Sequence, residues 1–112
     1  MVKARGEIMK DLQRLGKLLR KHRTAMGYSL RKAAYTAGIS PPALSQAELG
    51  RDTCQLSGDT LCRLSNLYGV DEFKYLQLAH KLPSHVLEVL MRHPFEACNL
   101  ADELLRNEEP SA

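Results

Sequence analysis

Several kinds of signal are missing from this sequence, and each absence excludes something. No stretch approaches the run of about 18 apolar residues that a membrane-spanning helix needs. The basic opening MVKARGEIMK is followed by no apolar run long enough for a secretory leader. Cysteine is scarce: Cys54, Cys62 and Cys98 are odd in number, far apart and without a CxxC spacing. They read as reduced thiols of a cytoplasmic protein, and nothing near Cys98 activates it for a redox role. His22, His80, His85 and His93 show no ligand spacing with cysteine, so no metal site is expected. No glycine-rich phosphate loop, nucleophile elbow or paired acid and base is present, so neither an enzyme nor a cofactor is expected. Sustained polar–apolar alternation is also missing, and β-branched residues are sparse. The fold class that remains is all-α.

At 112 residues, 44% hydrophobic and 26% charged, the chain suits one domain with a small appendage. Its net charge of +3 hides an asymmetry. Residues 1–36 carry ten Lys/Arg against two Asp/Glu, residues 37–70 two against three, and residues 71–112 four against eight. A first third at +8 fits either a polyanionic partner or a solvated basic helix, and an acidic last third should face away from such a partner.

Helical spacing recurs throughout. Over roughly 6–25, Ile8, Leu12, Leu15 and Leu19 form an apolar stripe, while Lys10, Arg14, Lys17 and Lys21 repeat about 200° away. Gly27 ends this helix. Ser29 can cap a second with Leu30, Ala33, Ala34 and Ala37 inward, and Gly38 breaks it. Ser40 caps a third, whose first turn holds Pro41 and Pro42. First-turn N–H groups have no partner within the helix, so the prolines pin its start without forbidding it. Gly50 closes that helix. A fourth carries Leu61, Leu64 and Leu67/Tyr68 and ends at Gly69, and Asp71 can cap a fifth with Phe73, Leu76 and Ala79. Pro83 and Pro94 introduce two more, over 84–93 and 95–106, and the tail from 108 to 112 is expected to fray.

Two short helices joined by a tight glycine-containing turn make a helix-turn-helix unit, here 29–50. An αα-hairpin in a purely structural bundle would show the same spacing. The stretch YSLRKAAYTAGISPPALSQAELG nevertheless resembles the helix-turn-helix of the phage-repressor/Cro-like (XRE-like) regulators. The likeness rests on Gly27, on Ala34 and Gly38 at the helix crossing, on Leu44, Glu48 and Gly50, and on Leu-Tyr-Gly-Val at 67–70. It covers about 12–79 and implies a five-helix lambda-repressor-like domain, 1–81, followed by a two-helix extension, 82–107.

The resemblance also implies a site. The second helix of the unit, 41–49, should enter the major groove of double-stranded DNA with its leading residues at base edges. Pro41, Pro42, Ala43 and Gln46 fall at the family's base-contacting positions. Gln46 can donate and accept at once to adenine. Pro42 and Ala43 offer only packing on thymine methyls, which leaves room for readout of DNA shape. Phosphate contacts are implied for Ser29, the amides beginning at Leu30, Ser40 and Arg51, with Arg31 and Lys32 either joining them or merely solvated. Ser45 has two readings, a phosphate contact or a bond to its own helix. Relatives often place a polar phosphate anchor where Leu49 stands. Glu48 is expected inward, in a structural ion pair with Arg23.

Residues 82–107 are rich in apolar side chains. Val86, Leu87, Leu90, Met91 and Leu104 either form a two-fold dimer contact or floor the main core. The function expected is that of a bacterial or phage-type DNA-binding regulator, a dimeric repressor of a palindromic operator, located in the cytoplasm. The alternative is an antitoxin-like or adaptor module that grips a protein partner with its C-terminal helices.

Overall fold

Seven helices follow one another in the computed structural model, which describes residues 5–51 and 56–108. Cys54 and the residues after Glu108 lie outside the described set. The helices are α1 (Arg5–Ala25), α2 (Leu30–Ala37), α3 (Pro41–Glu48), α4 (Gly58–Tyr68), α5 (Glu72–Ala79), α6 (Ser84–Arg92) and α7 (Pro94–Glu108). No strand occurs among the described residues.

Local sequence chemistry sets most of these boundaries. Ser29, Ser40, Ser57 and Asp71 stand in extended backbone and accept an N–H from the first turn that each precedes. The amphipathic α1 buries Leu12, Leu15 and Leu19, while Lys10, Arg14, Lys17 and Lys21 face solvent. It packs against α3 and α5; α2 packs against α3 and α4, and α4 against α5. Leu19, Leu44, Leu61, Leu64 and Tyr75 are wholly enclosed where these five helices meet.

Small residues decide how closely they meet. Ala33, Ala34 and Ala37 have no exposed surface, so α2 lies flat on its neighbours. Gly38, expected at that crossing, is instead exposed: its φ of 75° ends α2 in the left-handed conformation that side chains other than glycine's disfavour. A close backbone contact between two helices falls at Gly16 of α1. A Cβ there would stand 2.6 Å from the carbonyl oxygen of Ala47 and 2.5 Å from that of Glu48. The backbone of α1 therefore touches the end of α3 directly.

Several apolar positions differ from the expected pattern. Phe73 of α5 is 68% exposed, and Tyr75 and Leu78 are buried along with Leu76 and Ala79. The turn into α6 is left-handed at His80 (φ 56°), whose Nε2 lies 3.0 Å from a carboxylate oxygen of the buried Asp11. Helix α7 starts one residue earlier than expected and continues to Glu108, into the segment expected to fray.

The C-terminal pair does not floor the core. No residue of α6 or α7 is buried, and the two helices pack on each other. Pro83 supplies no side-chain cap to α6. The cap comes from α4: Asp59 accepts the Ser84 N–H at 3.0 Å and the Ser84 hydroxyl at 2.7 Å. These two bonds, the backbone one first, hold the Asp59 carboxyl below its ordinary value of 3.8.

Three outcomes follow. Gly16→Ala should lower stability by about 2 kcal/mol or more, read as a fall in the thermal midpoint, because neither backbone can yield freely. A carboxyl with a depressed folded value contributes stability above its ordinary value and loses it as pH falls through the folded one. Below pH 3.8 the first turn of α6 should therefore fray, with the Cα chemical shifts of residues 84–88 moving towards coil values. Asp59→Ala should produce the same shift at neutral pH and leave α1–α5 unchanged.

Candidate nucleic-acid interface

The first turns of α2 and α3 are chemically opposite. In α2, Lys32 N–H is taken by the Ser29 hydroxyl oxygen (3.1 Å) and Ala33 N–H by the Ser29 carbonyl (3.1 Å). The amides of Leu30 and Arg31 find no partner among the described residues. Free N–H groups at the positive end of a helix dipole are suited to an anion. In α3, Pro41 and Pro42 have no N–H, Ala43 N–H goes to the Ser40 hydroxyl oxygen (3.2 Å), and Leu44 N–H goes to the Ser40 carbonyl (3.2 Å). The leading end of α3 thus presents an apolar surface with no amide donor.

Along α3, Pro42, Gln46 and Leu49 follow one another at helical spacing on the outer side. Pro42 and Leu49 are exposed, Leu49 by 57%, and Gln46, Pro41 and Ala43 are half-buried. Leu44, on the opposite side, is fully enclosed and anchors the helix. Ser45 is half-buried, and its hydroxyl has no hydrogen-bond partner among the described residues, so the bond to its own helix is not made.

Two open clefts flank α3. One, beside its start, is lined by Ser29, Arg31, Lys32, Tyr35, Ile39 and Pro41. The other, beside its end, is lined by Arg20, Arg23, Leu30, Ser45, Glu48 and Leu49. Neither includes a residue of α6 or α7. Arg31 and Lys32 are exposed, and the Lys32 ammonium lies 4.8 Å from the centre of the Tyr28 ring, a cation–π contact that limits where its stem can swing. Arg51 is exposed just beyond α3, its N–H on the Gln46 carbonyl at 3.2 Å.

Arg23 and Glu48 meet in a two-pronged pair. Nε donates to one carboxylate oxygen at 2.7 Å, Nη2 to the other at 3.0 Å, and Nη1 to the Tyr28 carbonyl at 3.0 Å. The Glu48 side chain is only 7% exposed and that of Arg23 14%. Hydrogen bonding to Glu48 raises the Arg23 pKa further above its ordinary value. The buried Tyr68 hydroxyl has no partner among the described residues, and burial first, then the nearby Glu48 charge, pushes it up to about 12. The pair ties the end of α3 to α1 and to the turn before α2, so its charge serves position.

The remaining sequence candidates lie elsewhere. Val86 and Leu90 are half-buried and Leu87, Met91 and Leu104 exposed, all on α6 and α7. His22 shares a 2.5 Å hydrogen bond with Tyr75, His80 holds Asp11, and His85 and His93 are exposed. No three potential metal ligands cluster among the described residues.

Two residues near α3 escaped the sequence reading. Tyr35, 88% exposed, stands one helical turn after Arg31 on the outer face of α2, and that i, i+4 relation was the available signal. Leu49, 57% exposed, is the apolar end of the outer stripe of α3 as well as a position without a polar anchor. A third, Asp11, sits within the 8–12–15–19 stripe of α1, where a carboxylate needs a buried partner.

Comparison with known protein families gives a match to a helix-turn-helix domain over residues 14–73. The chain belongs to that helix-turn-helix family. The match ends within α5, so α6 and α7 lie beyond it, as they lie beyond the resemblance to XRE-like regulators. No curated protein and no solved structure matches the chain.

The Arg23–Glu48 pair leads to a stability outcome. Glu48→Ala leaves a largely enclosed guanidinium without its counter-charge, and should cost about 3–5 kcal/mol in denaturant unfolding. Arg23→Met with Glu48→Leu should recover most of that loss, because the enclosed charges are then removed together.

Proposed function

We propose that this helix-turn-helix protein is a sequence-specific DNA-binding transcriptional regulator, acting as a dimeric repressor on a short palindromic operator. The observation that carries the reading is the outward stripe of α3, open to solvent between two clefts with basic side chains on their walls. In the major groove, Gln46 reads adenine through its amide while Pro41, Pro42 and Ala43 pack against thymine methyls. With no amide donor at its leading end, α3 relies on α2 for anchoring. The free amides of Leu30 and Arg31 take one phosphate, and the Ser29 and Ser40 hydroxyls and the Arg31, Lys32 and Arg51 side chains take its neighbours. Ser45, unbonded to its own helix, is available to a phosphate as well. Repression needs only occupancy of the operator, so no catalysis is assigned, and the site of action is the cytoplasm or nucleoid where the DNA lies.

One observation favours a second reading, a module that binds a protein partner through its C-terminal helices. Their apolar side chains are exposed.

Duplexes selected from a random pool separate the two. Three cationic side chains per protomer, doubled in a dimer, should make affinity fall about 10³-fold between roughly 50 and 200 mM salt. Gln46→Ala should flatten the preference at one base position per half-site, removing about 1–3 kcal/mol of discrimination with little change in the salt slope. Retention of no duplex at low salt would overturn the proposal.

A further inference from the structure

Another cleft lies away from α3, where α5 meets the start of α6. Its open volume is about 710 Å³, and Phe73, Leu76, Leu82, Pro83 and Val86 supply its apolar lining. Leu76 and Pro83 are buried, Val86 is half-buried, and Phe73 and Leu82 stand 68% and 45% exposed. Its walls are held by contacts outside the cleft. A Cβ on Gly58 would strike the Leu82 carbonyl, so the backbone between α5 and α6 lies directly on α4. Asp59 holds Ser84 beside that point, and the Lys81 N–H donates to the Leu76 carbonyl at 3.1 Å. A preformed, mostly apolar cleft within roughly 300–1,000 Å³ has the form of a small-molecule site. Apart from Phe73 and Glu72, its lining lies beyond the matched residues 14–73, and the DNA-binding reading makes no use of it.

Four titratable side chains line the cleft, and three of them are engaged. The Glu72 carboxylate accepts a hydrogen bond from the Cys62 thiol of α4. His80 Nε2 lies 3.0 Å from Asp11, and His85 stands close enough to Asp59 for its charge to lower that carboxyl. Lys81 is the exception: it is half-buried, and its ammonium has no partner among the described residues. We propose that this cleft binds a small aromatic carboxylate, its ring against Phe73 and the apolar floor and its charge on Lys81. The exposed Phe73 ring offers both face and edge, the two geometries in which aromatic rings attract. A carboxylate on a partly desolvated ammonium makes a charge-assisted bond stronger than one in open water. A neutral ring would leave that ammonium unpaired, and a cationic one would be repelled by it. The site rests on the cleft alone, independently of the DNA-binding reading.

Titration of the full chain with indoleacetate, its neutral amide and tryptamine, followed through backbone amide shifts, tests the proposal. The probes share a ring and differ in charge. Indoleacetate should shift the amides of Phe73, Leu76, Lys81 and Val86 saturably at millimolar concentrations. Its amide should bind about tenfold more weakly, and tryptamine more weakly still. Lys81→Gln should bring indoleacetate down to the level of the amide, and Lys81→Arg should restore it. Phe73→Ala should weaken indoleacetate and the amide alike, by about fivefold or more. Neither side chain is buried, so amide shifts outside the cleft should stay those of the parent chain. Equal affinity for the three probes, indifference to both substitutions, or no saturable shift would overturn the proposal. So would shifts at residues 73–86 on dilution without any probe, which would give the cleft to a second copy of the chain. A chain that binds indoleacetate but retains no duplex would overturn the DNA reading and leave the cleft standing.

Discussion

The direct contact between the backbones of α1 and α3 at Gly16 is the constraint from which the rest follows. Because no side chain stands between them, the end of α3 lies against the longest helix in the chain, and its angle has little freedom. The Arg23–Glu48 fork then fixes α3 from the adjacent turn, and Leu44 fixes it from below. Three restraints of different kinds (contact, charge and apolar burial) act on eight residues. A helix too short to be stable alone is thereby held rigid, with its outer side left to solvent.

This arrangement divides labour between the two short helices. Two prolines define where α3 begins, but they remove the amides that would make its start attractive to a phosphate. The start of α2 retains such amides beside Arg31 and Lys32. On the proposed reading, α2 anchors and α3 reads. An apolar reading end gains from sequence-dependent DNA shape and thymine methyls what it lacks in hydrogen bonds.

Much of this was legible in the sequence because its signals are local. Serine before a helix, glycine after one, proline in a first turn and a leucine stripe at 3.6-residue spacing all act over a few residues, and the helices near Ser29, Ser40 and Gly69 begin or end where those signals lie. Signals that need a distant partner were not legible. Gly16 reads as an ordinary helix interruption until Ala47 and Glu48 are brought against it. Asp11 gains its meaning only from His80, and the cap of α6 is a side chain 25 residues earlier. Of the candidate site, Arg23 and Glu48 came from family resemblance, while the exposure of Tyr35 and Leu49 depends on how neighbouring helices pack. Composition did flag the C-terminal helices as apolar, but it could not distinguish a floor for the core from a face left open.

The central claim is that the outer side of α3, flanked by the start of α2, is the surface that meets DNA. Backbone chemical-shift mapping during titration with a short selected duplex tests it most directly. The account predicts the largest changes at the amides of Leu30, Arg31, Gln46 and Leu49, with the outer arcs of α6 and α7 unmoved. Changes confined to α6 and α7, or none at any residue of α2 and α3, would contradict it.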